Sequence, residues 1–374
     1  MIKTKNKIIA GLILSLVLSL IYSPALLALP YINSNYFCVV DASSGQIIFS
    51  SQADEMRPVA STTKMMTAIL AMEYANPEEI ALVSLHAQKT PEYAIGLREG
   101  QDIPISELLK VALIRSANDA AVVLAEHVAG EERFFAHLMS KKAFVLGAFK
   151  THFCNASGLP SADHYSTAFD LTRIGCYLLK NEYLKKIVAS RHTEFQHPGY
   201  SQPITIYNTN SLLGTFPGAD GIKTGTTNAA GKCLIASATR EGRQLVAVTL
   251  RSGNRRKDCA TLLEYGFNNS SLVKIIDSSQ PFKQVKVVDG VSSYIDLYPA
   301  HDIFVWVAES SPDIQKKVNV IYKVNAPVNA GQKLGTVSVY ADNKLVQSTD
   351  LVCRQKINSK LTGIRKIINK VRCY

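Results

Sequence analysis

Ser61 and Lys64 stand three residues apart in the stretch PVASTTKMMTAIL, residues 58–70. Residues with that spacing on a helix share a face, one turn apart, so the amine can reach the hydroxyl. A lysine in water keeps its proton and cannot act as a base. Desolvation and a neighbouring cation both lower its pKa. The run from Met65 to Leu70, apolar apart from Thr67, supplies a dry wall. At the start of a helix Ser61 also gains the positive end of the dipole, and its backbone N–H is suited to holding an oxyanion. The pair fits covalent catalysis in which the serine attacks and the lysine takes its proton.

The spacing alone is a weak signal. It recurs at Ser271 and Lys274, where no chemistry is expected, and a serine before a helix is ordinarily an N-cap. Two further stretches add to it. RSANDAA puts Ser116 and Asn118 in one short turn. The hydroxyl can relay a proton between the lysine and a leaving amine, and the amide can bind a peptide carbonyl and fix Lys64. The bare pattern also occurs at Ser252 and Asn254. DGIKTGTTNAAG carries Lys223, Thr224, Gly225 and Thr226. A glycine in a strand lets another backbone approach, so a peptide can lie alongside as an added strand. Lys223 is a second cation able to depress the pKa of Lys64. Thr224 and Thr226 offer hydroxyls to a carboxylate, and the Thr226 N–H is a candidate second oxyanion donor.

These residues need elements to hold them. YFCVVDASSGQIIFSSQ (36–52) reads as a hairpin around a Ser-Ser-Gly turn. A helix of about fourteen residues is expected from Ser61. Two helical segments follow, broken near Ser116 and stopped by Gly130, with a polar loop at 84–100. Residues 132–147 and 167–190 also read as helical. GIKTGTT is a strand candidate, KCLIASATREGRQLVAVTLRSG gives two strands around 241–243, and DCATLLEYGF closes with a helix. The expected unit is α+β, an antiparallel sheet whose strands lie far apart in sequence. After Gly266 the chain turns β-branched and turn-rich, which predicts a small all-β domain over roughly 275–352. In the tail, 355–374, Leu361, Ile364, Ile368 and Val371 share one helical face among Lys360, Arg365, Lys366, Lys370 and Arg372. Such an amphipathic helix suits an anionic membrane surface; the alternative is a helix packed on the β domain.

Residues 1–28 combine Lys3, Lys5 and Lys7 with an apolar run and small residues, the pattern of a secretory signal cut after Ala25 or Ala28. An uncleaved anchor is the alternative. The formal charge is +11, and the three leader lysines removed leave +8. A basic exported protein suits anionic surfaces or substrates, and nucleic acid is not expected in that compartment. Seven cysteines show no metal-binding spacing. No metal or cofactor is expected, and most of the cysteines read as small core residues.

The three motifs in this order resemble the penicillin-recognising serine enzymes. PVASTTKMMTA, IRSANDAAVVLAEHVAG, THFCNASGLPSADHYSTAFDLTRIG and NTNSLLGTFPGADGIKTGTTNAAGKCLIASA narrow the resemblance to the low-molecular-mass D-alanyl-D-alanine carboxypeptidases, peptidase family S11. It covers residues 30–270 strongly, and the β domain and basic tail more loosely. The resemblance implies a serine β-lactamase/penicillin-binding-protein-like transpeptidase domain over 29–270. It also implies removal of the terminal D-alanine from the pentapeptide stem of peptidoglycan, at the outer face of the cytoplasmic membrane. Carried over, Ser61 is the acyl-ester nucleophile, Lys64 the general base and Ser116 the proton shuttle. Asn118 positions substrate, and Lys223 binds it with Thr224 beside it. An arginine after the sheet grips the terminal carboxylate; Arg255 fits by position, with Arg256 adjacent. β-Lactams, as mimics of D-Ala-D-Ala, are expected to acylate Ser61.

A class A β-lactamase is a poorer fit, because no glutamate lies between Ser140 and Lys180 to activate a deacylating water. A D,D-endopeptidase cutting crosslinks uses the same machinery. A non-hydrolytic β-lactam sensor is a third reading, at odds with intact Ser61, Lys64 and Lys223.

Overall fold

The computed structural model describes residues 29–308, 313–341 and 343–360. The leader expected over 1–28 and the amphipathic helix expected from Leu361 lie outside the described residues.

β1 (Tyr36–Asp41) and β2 (Ile47–Ser51) form the expected hairpin, turning through Gly45 at φ 70°. The expected helix at Ser61 opens with a 3-10 turn, Ala60–Thr63, and continues as α1 (Lys64–Tyr74). Every residue of α1 from Lys64 to Ala71 is buried, so this helix runs through the core rather than along a surface. Residues 84–100 are not wholly loop. β3 (Ile80–Leu82) and β4 (Asp102–Pro104) pair antiparallel, and between them lies a short α2 (Leu85–Gln88) capped by Ser84.

α3 (Ile105–Lys110) widens into a π turn, Val111–Arg115, and stops at Ser116 in the left-handed region, φ 72°. α4 (Asn118–Ala129) follows and ends at Gly130, also at positive φ. α5 spans Glu132–Val145. The single helix expected over 167–190 is two, α6 (Ala168–Leu178) and α7 (Glu182–Ala189). Asn181 makes the break: its side chain accepts from the N–H groups of Tyr183 and Leu184 and starts a new helix. β5 (His192–Phe195) and β6 (Ile204–Tyr207) form a small ribbon. β7 (Ala219–Thr227), β8 (Gly231–Arg240) and β9 (Arg243–Ser252) follow, then α8 (Arg255–Asn268).

The main sheet runs β2-β1-β9-β8-β7, all antiparallel. The early hairpin therefore pairs with a strand some 200 residues later, Val39 opposite Ala247. β7 is left as an edge strand beside the 3-10 turn of Ser61.

The remaining strands are β10 (Ser270–Ile276), β11 (Lys283–Val288), β12 (Tyr294–Pro299), β13 (Ile303–Ala308), β14 (Ile314–Val320), β15 (Lys323–Asn325), β16 (Lys333–Ala341) and β17 (Lys344–Cys353). They form a six-stranded sheet, β14-β16-β17-β12-β11-β15, and the pair β10-β13. Alternate residues such as Val285, Val287, Val337 and Val339 point into a separate apolar core. Pairing begins at Ser270 and runs past β17: Ile357 bridges Val328 and is buried, and Ser359 bridges Gly290. Residues 355–360, expected with the tail, thus pack with the β region. This region docks on the first hairpin. Trp306 exchanges hydrogen bonds between its backbone and the Gln46 side chain, and the Arg243 guanidinium lies 3.3 Å over its ring.

Candidate active site

Lys64, first residue of α1, is wholly buried. Its Nζ lies 3.0 Å from Ser61 Oγ, 2.6 Å from Asn118 Oδ1 and 2.6 Å from the Ser157 carbonyl oxygen. The pKa of the amine is driven well below the usual lysine range, first by burial and then by the charge of Lys223; Asp119 and Glu132 oppose the shift. A neutral amine has two hydrogens and one lone pair. Two carbonyl oxygens take the hydrogens. The lone pair is left for the Ser61 hydroxyl, which can then donate to it.

Ser116 gains its place from the left-handed turn that ends the π segment. Its Oγ accepts from Lys223 Nζ at 2.9 Å. Lys223 is itself buried, donates also to the Thr224 carbonyl at 3.1 Å, and is brought down to about 7 by burial and by Arg255. A non-glycine residue at positive φ stores backbone strain, and Ser116 is such a residue at a site of converging polar groups.

Gly225 lies where β7 passes the Ser61 turn. A Cβ there would stand 2.9 Å from the Val59 carbonyl oxygen and 3.0 Å from the Ser61 nitrogen, so only glycine allows the approach. Thr224 Oγ1 pairs with Thr209 Oγ1 at 2.6 Å. Arg255, at the start of α8, donates through Nη1 to the Gly225 carbonyl and Thr226 Oγ1, both at 2.8 Å, and to the Cys233 carbonyl at 3.2 Å. Arg256 lines a different depression with Leu212 and Phe216. Contacts thus link the nine residues singled out in the sequence where the Ser61 turn, the Ser116 turn and β7 meet.

One expectation needs refinement. Asn118 fixes Lys64 as anticipated, but its Nδ2 is already engaged by the carbonyls of Pro91 and Glu92 at 3.2 and 3.1 Å. A peptide carbonyl must share or displace those bonds. Two supports were missed in the sequence. The Ser157 carbonyl belongs to the NASGL turn, where Gly158 at φ 86° was the available signal. Asp119, next to Asn118, is buried. Its Oδ2 accepts from the N–H groups of Ile95, Gly96 and Leu97 at 3.0, 3.0 and 3.2 Å, holding the loop that covers Asn118.

The family profile of D-alanyl-D-alanine carboxypeptidases matches residues 25–254. The chain belongs to that family. The C-terminal domain of penicillin-binding protein 5 matches residues 271–359. Among relatives, the D-alanyl-D-alanine carboxypeptidase DacA of Escherichia coli (strain K12) is 30% identical over 348 residues, covering 88% of this chain and 84% of the relative. DacF of Bacillus subtilis (strain 168) is 29% identical over 327 residues, covering 85% and 84%. The crystal structure of penicillin-binding protein 5 from Haemophilus influenzae superposes with a TM-score of 0.71 at 25% identity, covering 89% of this chain and all of that one. The carboxypeptidase family thus accounts for both regions, the α+β catalytic fold and the β domain after it.

Proposed function

We propose that the chain is a serine-type D-Ala-D-Ala carboxypeptidase that removes the terminal D-alanine from peptidoglycan stem pentapeptides through an acyl-enzyme and is inhibited by β-lactams. One observation carries the reading: a fully buried lysine amine, held by two carbonyls, 3.0 Å from a serine hydroxyl.

In this reading the stem peptide lies along the free edge of β7, its terminal carboxylate near Thr224, Thr226, Lys223 and Arg255. Ser61 Oγ attacks the carbonyl carbon of the penultimate D-alanine as neutral Lys64 takes its proton. The backbone N–H groups of Ser61 and Thr226 hold the oxyanion. The proton passes through Ser116 to the leaving nitrogen, the C–N bond breaks and D-alanine departs. Water, deprotonated by Lys64, then hydrolyses the ester. A β-lactam follows the same first steps, but its leaving nitrogen stays tethered and blocks the water.

Mass spectrometry of the intact protein after benzylpenicillin tests this. One adduct of the drug's mass, mapped to the peptide containing Ser61, is expected, with release of free D-alanine from a D-Ala-D-Ala peptide. An adduct without D-alanine release would favour a sensor. Cleavage of crosslinked dimers in preference to pentapeptides would favour a D,D-endopeptidase.

The same reading assigns residues 1–28 to an export signal, 29–270 to catalysis, 275–352 to the β domain, and the basic tail to peripheral anchoring on the outer face of the cytoplasmic membrane. Lys360, Arg365, Lys366, Lys370 and Arg372 supply the attraction to anionic lipid. Because residues 355–360 pack with the β region, the test removes 361–374 only. The protein should move from membrane to soluble fractions with its activity intact; unchanged fractionation refutes the anchor.

A further inference from the structure

Ala60, immediately before the nucleophile, sits at φ 51°, a left-handed conformation that alanine rarely adopts. Its carbonyl oxygen accepts from Thr63 Oγ1 at 2.8 Å. Thr63 Oγ1 lies 2.8 Å from His164 Nε2, and His164 Nδ1 accepts the backbone N–H of Cys154 at 3.2 Å. Both side chains are buried, and His164 packs edge-on against Phe153. These contacts have only one consistent direction. Nδ1 is an acceptor, so the hydrogen of the neutral ring is on Nε2. It is donated to Thr63, whose own hydrogen goes to Ala60. Burial, the main cause, keeps the ring neutral. From the other side Gly158 closes on the same carbonyl: a Cβ there would lie 2.0 Å from Ala60 oxygen and 2.9 Å from Thr63 Oγ1.

We infer that His164 is a positioning residue: through Thr63 it holds the strained Ala60 carbonyl, and so sets the turn that aims Ser61 at Lys64. It touches neither substrate nor the reacting atoms. The inference rests on Ser61 being the nucleophile. If wild-type protein takes no β-lactam, that earlier reading fails; the variants below are compared only with an acylating wild type.

The test measures acylation by a fluorescent penicillin, kcat and KM for a D-Ala-D-Ala peptide, and melting temperature. Misplacing a reacting group by about 1 Å costs on the order of 100-fold in rate. His164→Ala should therefore lower acylation and kcat by about 10- to 100-fold, with KM little changed. His164→Gln should recover to within a few-fold, because its amide both donates to Thr63 and accepts from Cys154. Thr63→Val should match His164→Ala, and the double variant should lose no more than either alone. Should His164→Ala fail to fold, Thr63→Ser against Thr63→Val asks the same question, with serine active and valine impaired. The idea is overturned if His164→Ala, or valine at 63, acylates within twofold of wild type. It is also overturned if glutamine falls as far as alanine, or if the two losses multiply.

Discussion

The chain contains the same Ser-x-x-Lys spacing in two regions, and the two behave in opposite ways. At Ser61 and Lys64 the amine is buried at the head of a core helix, and its pKa is driven down. At Ser271 and Lys274 the pair lies on β10. There Lys274 is 41% exposed, pairs with Asp302 at 2.9 Å and with Asp277 at 3.9 Å, and has its pKa raised by the Asp302 hydrogen bond. On a strand, residues three apart face opposite sides of the sheet, so this lysine cannot serve its serine. The second decoy is similar. Ser252 donates to Asp258, while Asn254 caps α8 by accepting from Lys257 N–H. Chemistry requires the motif, a helix that turns both groups to one side, and a surround that strips the charge. Among the described residues, the β region buries one polar side chain, Thr349, whereas the catalytic region buries Lys64, Lys223, Asn118 and Asp119 among many others. Burying polar groups costs stability unless they are paired, and here the pairing is the site itself.

The comparison can be broken most sharply at the two serines. Ser61→Ala should reduce β-lactam acylation and D-alanine release by at least about 10³-fold, with the melting temperature near wild type. Ser271→Ala should leave both rates unchanged, as read by fluorescent penicillin and released D-alanine. The lysines come next. Arginine cannot give up its proton in a protein, so Lys64→Arg should lose about 10²- to 10⁴-fold in acylation, the range of general-base catalysis. Lys274→Arg should lose none. Equal losses at the two positions would undo the distinction.

Gly225 sharpens the geometric half. A valine there must push β7 away from the Ser61 turn, and a fall of about 10²-fold in acylation is expected; a wild-type rate would mean that the close approach is not needed. The smallest effect concerns pH. Lys223 loses its proton near 7 in the folded protein, so KM for a carboxylate-bearing peptide should climb as pH rises through 7. The unfolded lysine keeps its proton to about 10.4. Between those values the unfolded chain binds more protons, so stability should rise with pH across that window. Urea midpoints at pH 7 and 9 should show the rise, and Lys223→Met should flatten it without abolishing it, because Lys64 shifts in the same direction.

Much of the site is legible in local chemistry. The left-handed stop at Ser116 falls where a Ser-Ala-Asn turn interrupts apolar periodicity, and the strand around Gly225 carries its own β signature. Other features are not local. That Arg255 rather than Arg256 reaches Gly225 and Thr226 follows from how α8 leaves β9. The Ser157 carbonyl is a backbone group that its own residue type does not announce, and only the neighbouring Gly158 marks the turn that presents it. The break at Asn181 was hidden because apolar residues continue on both sides of it, so periodicity outweighed a cap.

Residue types and short spacings in the sequence determined which groups are chemically competent and most of the helices and strands that carry them, because those depend on neighbours within a turn or a pleat. Only the tertiary structure decided that Lys64 is dry, that two carbonyls claim its hydrogens, and that Lys223 lies near enough to bias it. Those properties need residues 61, 118, 157 and 223 in one place, and that convergence comes from strands paired across some 200 residues of chain.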